Sequence, residues 1–183
     1  MNTHPWWYVS RATGIVAWLL LAVAMVDGVS LAWRRTASPV RTLERHRLWG
    51  GLAVLFTIAH AAALVLDHFV DYGVAEILLP FKSIYRPGPV AWGVVALYLL
   101  LLVEGSSLVR RHLATRRWRS IHLLSYPLFA VATIHFLTSG TDAYRWIPSW
   151  LSVTVGGAIV AACFAGSVQA QRRVDESQLG REG

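Results

Sequence analysis

The sequence predicts an all-α membrane protein, an up-and-down bundle of five transmembrane helices with its amino terminus outside and its carboxyl terminus in the cytoplasm. Three observations predict it. Hydrophobic residues fill 55% of the 183 positions and charged residues only 15%, with a mean hydropathy of +0.47, a balance foreign to soluble domains. Apolar segments at about 12–33, 46–67, 89–108, 120–138 and 148–169 approach the roughly 20 helical residues that cross about 30 Å of hydrocarbon. Arginines crowd alternate connections, which sets the orientation.

The start, MNTHPWWYVSRATG, has no basic n-region, so the first apolar segment is expected to remain as a span rather than be cleaved. The connection to the second span holds Arg34, Arg35, Arg41, Arg45 and Arg47, and that to the fourth holds Arg110, Arg111, Arg116, Arg117 and Arg119. Both belong on the cytoplasmic side. Residues 68–88 form the long external connection, whose LLPFKSIYRPGP predicts a turn or a short interfacial piece. The fourth span contains Pro127, and the fifth carries the lone Cys163, read as a small buried apolar residue. A polar tail, 171–183, follows, and the chain is read as a single transmembrane domain over 1–183 with its core at about 10–170.

Backbone groups inside lipid must satisfy one another, which selects helices, and short connections favour antiparallel neighbours. The net charge of +7 and pI near 10.3 come from the arginines that set topology. The expected partner is therefore membrane lipid in a multi-pass cell-membrane protein, not nucleic acid. Tryptophans such as Trp6, Trp7, Trp33, Trp49, Trp118, Trp146 and Trp150 stand near span ends, as an interfacial belt requires.

Four of the seven histidines fall in two spans. His46 and His60 are 14 apart in the second, His122 and His135 are 13 apart in the fourth, and both spans run from cytoplasm to exterior. At about 1.5 Å per residue the two ladders match in height, near 20 Å. His46 can thus face His122 at an inner level, and His60 can face His135 at an outer one. Buried ionisable residues are costly and mark a partner, pathway or cofactor. Two neutral imidazoles per level suit a haem iron and fall short of the three or four ligands zinc takes. One obstacle is angular. On a straight helix a spacing of 14 returns to within about 40° of the same face, but 13 leaves a mismatch of about 140°. A kink or bulge at Pro127 is expected to re-aim the outer half of the fourth span.

This spacing, with WRSIHLLSYPLFAVATIHFLTSGTD, resembles the ferric reductase-like transmembrane domain over roughly residues 10–165. That superfamily includes NADPH oxidases, ferric reductases and the haem subunit of the periplasmic methionine sulfoxide reductase system. The resemblance implies two b-type haems, the inner held by His46 and His122 and the outer by His60 and His135, passing electrons across the membrane. The oxidases and eukaryotic reductases have a further span and a fused FAD and NADPH domain. This sequence has neither, nor a GxGxxG or P-loop, so the expected donor is a separate flavoprotein reductase or quinol, and the acceptor lies outside.

Arg45, Arg47 and Arg119 inside, and Lys82, Tyr85, Arg86 and Arg145 outside, are candidate partners for haem propionates. Gly50 and Gly51 are candidates for close approach of a macrocycle or helix, and Asp27 and Glu104 are expected to reach water or pair with arginines. Competing functions are a haem-holding anchor for one dedicated external reductase and a non-redox transporter of haem or metal.

Overall fold

The computed structural model describes residues 5–34, 36–67 and 72–139. The predicted fifth span, Cys163, Arg145 and the polar tail lie outside the described residues. The helices are α1 (Pro5–Ala32), α2 (Pro39–Leu66), the short α3 (Val74–Leu78), α4 (Pro87–Leu108), α5 (Thr115–His122) and α6 (Ser125–Ser139), with a single 3-10 turn at Arg110–His112. Among the described residues there is no strand. Among the described residues four stretches are long and apolar enough to cross a membrane, counting α5 and α6 together as Thr115–Ser139. The protein is a multi-pass membrane protein.

Helix boundaries follow local chemistry. The helices α1, α2 and α4 each open on a proline, whose missing N–H is one that a first helical turn leaves unpaired anyway. The helices α1 and α2 start well before the apolar runs expected from about 12 and 46, and α4 starts close to the run expected from about 89. In the long connection expected to hold a turn or interfacial piece, the structure places α3, and the Tyr98 hydroxyl donates to the Leu78 carbonyl to tie it to α4.

The bundle is small inside and large outside. Ala17, Ala24, Ala53, Ala63 and Ala91 are buried, while Leu19, Leu55, Ile58 and Leu101 are about half exposed on outer faces. Lipid is as apolar as leucine, so close packing of small residues brings the helices together, with Leu100, Leu128 and Phe129 buried among them. The principal pairs are α1 with α2 and α4 with α6, and α1 also touches α6. The histidine-bearing α2 and α6 are not a principal pair, which leaves the space between them for something else.

The fourth crossing is not one straight helix. Following His122, the Leu124 N–H reaches only to the Ile121 carbonyl, and the Tyr126 N–H to that of Leu123. The second bond takes the carbonyl that residue 127, a proline with no N–H, cannot use. Each residue in such tight geometry turns about 120° instead of about 100°. Over three or four residues, at the break between α5 and α6, this takes about 60–80° from the angular mismatch between His122 and His135.

Between α1 and α6 the Trp18 indole N–H donates to Thr133 Oγ1 (3.0 Å), which donates to the Phe129 carbonyl (2.7 Å). The indole also stacks on Phe136 (centroids 4.9 Å, planes 7° apart) and on Phe129 (6.0 Å, 18°). Phe129 is 1% exposed and anchors a cluster with Met25. Phe129→Ala is expected to destabilise the bundle by about 3 kcal/mol, read as a lowered thermal midpoint in detergent, whereas Leu102→Ala on the outer face leaves that midpoint within a degree or two.

Candidate functional site

All four span histidines come together as two pairs. The rings of His46 and His122 lie 5.9 Å apart between centroids at the arginine-rich end, inclined at 72°. Those of His60 and His135 lie 6.3 Å apart toward the opposite end, inclined at 76°. Two imidazoles whose Nε2 atoms bind one metal from opposite sides, with bonds of about 2 Å, have centroids about 6.2 Å apart. The donor set and its spacing fit a six-coordinate haem iron. Among the described residues no group of three or more His, Cys, Asp or Glu is placed to hold a metal ion, so a zinc centre has no ligand set there.

The second ring nitrogen of each histidine is engaged. His46 Nδ1–H donates to the Ala24 carbonyl (2.9 Å), His60 Nδ1–H to the Ser10 carbonyl (2.7 Å), and His135 Nδ1–H to the Pro89 carbonyl (2.8 Å). His122 Nδ1 meets Ser107 Oγ at 3.4 Å instead. Donation from Nδ1 fixes the tautomer that leaves the Nε2 lone pair for a metal, and it fixes the ring's orientation.

A helical carbonyl is already bonded to the N–H four residues on, and the side chain of that later residue folds back over it. At three of the four sites that later residue is glycine. Gly14 follows Ser10, Gly28 follows Ala24, and Gly93 follows Pro89, each by four. A Cβ added at Gly14, Gly28 or Gly93 would stand 2.9 Å from His60 Nδ1, 3.1 Å from His46 Cε1 and 2.6 Å from His135 Cε1 respectively. The glycines therefore uncover the carbonyls that the imidazoles reach. Gly14 and Gly28 are 14 apart, as are His46 and His60, so the antiparallel α1 and α2 meet twice with the same contact about four turns apart. This register is visible in the sequence once α1 and α2 are laid side by side, but a reading centred on histidines passes over it.

A cavity of about 460 Å³ adjoins His60 and His135. Its walls include Trp18, Leu100, Leu128 and Phe136, and its rim has Arg11, Tyr72, Tyr85 and Arg86. An apolar chamber with a cationic edge is what a flat macrocycle with carboxylate substituents requires. Arg86 has a left-handed backbone (φ 48°) immediately before Pro87, a conformation uncommon for a non-glycine residue. Burial holds the Tyr72 phenol above its usual pKa, so it stays neutral and adds no anion to this rim.

Of the expected propionate partners, Tyr85 and Arg86 line the cavity, while Arg45 is turned to Asp27, its Nη2 donating to Oδ1 at 2.5 Å. Asp27, itself buried, thus pairs with an arginine, one of the two alternatives expected of it. Gly50 is a close-approach point, though for the Glu104 carboxylate, 2.8 Å from an added Cβ, and Gly51 meets nothing within 4 Å. Two contributors were not singled out from sequence. Arg11 lines the cavity from α1, and Trp118, expected only as an interfacial residue, stacks on His122 (5.0 Å, 25°) beneath the Arg110 guanidinium (4.2 Å).

Comparison with known proteins adds an independent line. Residues 13–133 match the family model for the ferric reductase like transmembrane component. Over 121 residues the chain is 28% identical to the protein-methionine-sulfoxide reductase heme-binding subunit of Rhodospirillum rubrum, covering 64% of this chain and 54% of that protein. The chain thus aligns with about half the length of that relative. No solved structure matches.

Gly93→Ala, whose new methyl would press on the His135 ring, is expected to lower haem retention at the outer pair about tenfold. Gly51→Ala, with open space around it, leaves haem per chain unchanged after purification.

Proposed function

This chain belongs to the ferric reductase-like transmembrane family, and from that membership we propose that it is a di-haem b-type electron-transfer protein of the cell membrane. His46 and His122 hold the inner haem and His60 and His135 the outer one. Electrons come from a cytoplasmic flavin- or NAD(P)H-linked donor, or from membrane quinol, and leave to an acceptor on the outer side. The amino terminus lies outside, so the arginine-rich end of the bundle faces the cytoplasm.

The observation that carries this reading is the pair of facing imidazoles at each of two levels, three of the four rings clamped through Nδ1 to a main-chain carbonyl. Haem supplies reversible one-electron carriage. The protein contributes the rest. Carbonyl-bound Nδ1 atoms hold the rings in one tautomer and raise the electron density at Nε2. The apolar walls around His60 and His135 exclude water, and Arg11 and Arg86 neutralise carboxylates at the edge. Ionised groups otherwise expensive at this depth are thereby confined to the rim.

A second reading has its own support. The Rhodospirillum rubrum relative is named as the heme-binding subunit of a protein-methionine-sulfoxide reductase. On that basis the acceptor is a dedicated reductase outside the membrane, for which this chain is the haem-bearing anchor. A transporter of haem or metal fits less well, because rings clamped through Nδ1 at three of the four positions hold a resident group better than a passing one.

Purified protein is expected to give reduced-minus-oxidised bands of b-type haem at about two haems per chain. His60→Ala is expected to reduce this to about one, with the remaining haem titrating at a single potential. Haem content unaffected by His60→Ala contradicts the assignment.

A further inference from the structure

The four histidine anchors repeat one pattern with one exception. On α1 the carbonyls of Ser10 and Ala24 are each followed four residues later by glycine, and on α4 the same holds for Pro89 and Gly93. Advancing 14 residues along α4, the interval that separates the two α1 anchors, leads from Pro89 to Val103 and from Gly93 to Ser107. This is the level of His122. Here the uncovering glycine is replaced by serine. Ser107 Oγ donates to the Val103 carbonyl at 3.0 Å and so takes the acceptor that an imidazole uses at the other three sites. His122 Nδ1 is left with that hydroxyl oxygen at 3.4 Å, against 2.7–2.9 Å for the three carbonyl anchors.

The backbone adds to the difference. His46, His60 and His135 lie within helices, whereas His122 is the last residue of α5, followed by the tightened turn at Leu123 and Leu124. Trp118 stacks beside the His122 ring and offers an aromatic surface to a ring that swings away. At the outer level both rings are held by main-chain carbonyls. At the inner level only His46 is.

We propose, resting on the two-haem reading, that His122 is the displaceable ligand of the four. The inner pair is then a binding site for a small neutral diatomic π-acceptor when its iron is ferrous, and Ser107 is the positioning residue that sets this reactivity. The exchange is simple ligand substitution. The Nε2 bond of His122 breaks as the carbon lone pair of carbon monoxide, used as probe, forms a bond in its place, with no electron or proton transferred. The outer pair does not react.

The test uses the full chain, purified with haem and reduced with dithionite, then titrated with carbon monoxide and followed by absorbance. The expected uptake is about one carbon monoxide for every two haems. Ser107→Gly reopens the Val103 carbonyl to His122 and is expected to raise the half-saturating concentration about tenfold with both haems retained. Two haems with no carbon monoxide uptake, or an affinity that Ser107→Gly leaves unchanged, overturns the proposal and spares the two-haem reading. Uptake that vanishes in His60→Ala, which lacks the outer group, does the same. Protein that carries no haem at all overturns the reading itself and the proposal with it.

Discussion

A carbonyl in the middle of a helix is ordinarily closed to outside donors, because its own helix bonds it and the side chain four residues on covers it. The site in this bundle depends on opening such carbonyls. Gly14, Gly28 and Gly93 remove the covering side chain, and the imidazoles of His60, His46 and His135 then donate to Ser10, Ala24 and Pro89 at 2.7–2.9 Å. A buried imidazole with an unpartnered nitrogen costs about 1–3 kcal/mol, so each opened carbonyl both stabilises a ring and decides which nitrogen is left for a ligand. Helix packing and ligand chemistry meet at one contact, repeated about every four turns.

That contact also explains the arrangement of helices. The helix α1 lies along α2 and α4 along α6, and each carbonyl-bearing helix serves as the backing for a histidine-bearing one. Close approach needs small residues, which is why alanines such as Ala17, Ala24, Ala53 and Ala63 are buried between the helices, around Leu100, Leu128 and Phe129, while many leucines and isoleucines face outward. The helices α2 and α6 are not packed as a pair, and the rings of His60 and His135 face each other across the space between them. The Trp18 network ties α1 to α6 and completes the frame with every polar atom in it bonded.

Much of this was legible in the sequence. Apolar runs gave the four described spans, and two histidine ladders of matched height gave the pairs. The angular conflict between spacings of 14 and 13 was also legible, and it pointed to Pro127, where the helix does tighten. The carbonyl acceptors were not legible, since a main-chain oxygen leaves no mark on residue identity; Ser10, Ala24 and Pro89 share no side-chain chemistry. Their glycine companions did leave a mark, a spacing of 14 on α1 that mirrors His46 and His60, but it has meaning only when two antiparallel helices are read together. Trp118 was hidden for another reason. A tryptophan near a span end fits an interfacial belt so well that its position four residues before His122, on the same helical face, went unused.

The most direct test is of the nitrogen that binds. Protein in which histidine carries nitrogen-15 at Nε2 alone can be examined in its oxidised form by electron–nuclear double resonance. The account predicts strong coupling from two labelled nitrogens at each of two low-spin irons, and only weak, remote coupling when the label is placed at Nδ1. Strong coupling from Nδ1, or a single coupled imidazole at the His60 and His135 level, would contradict it.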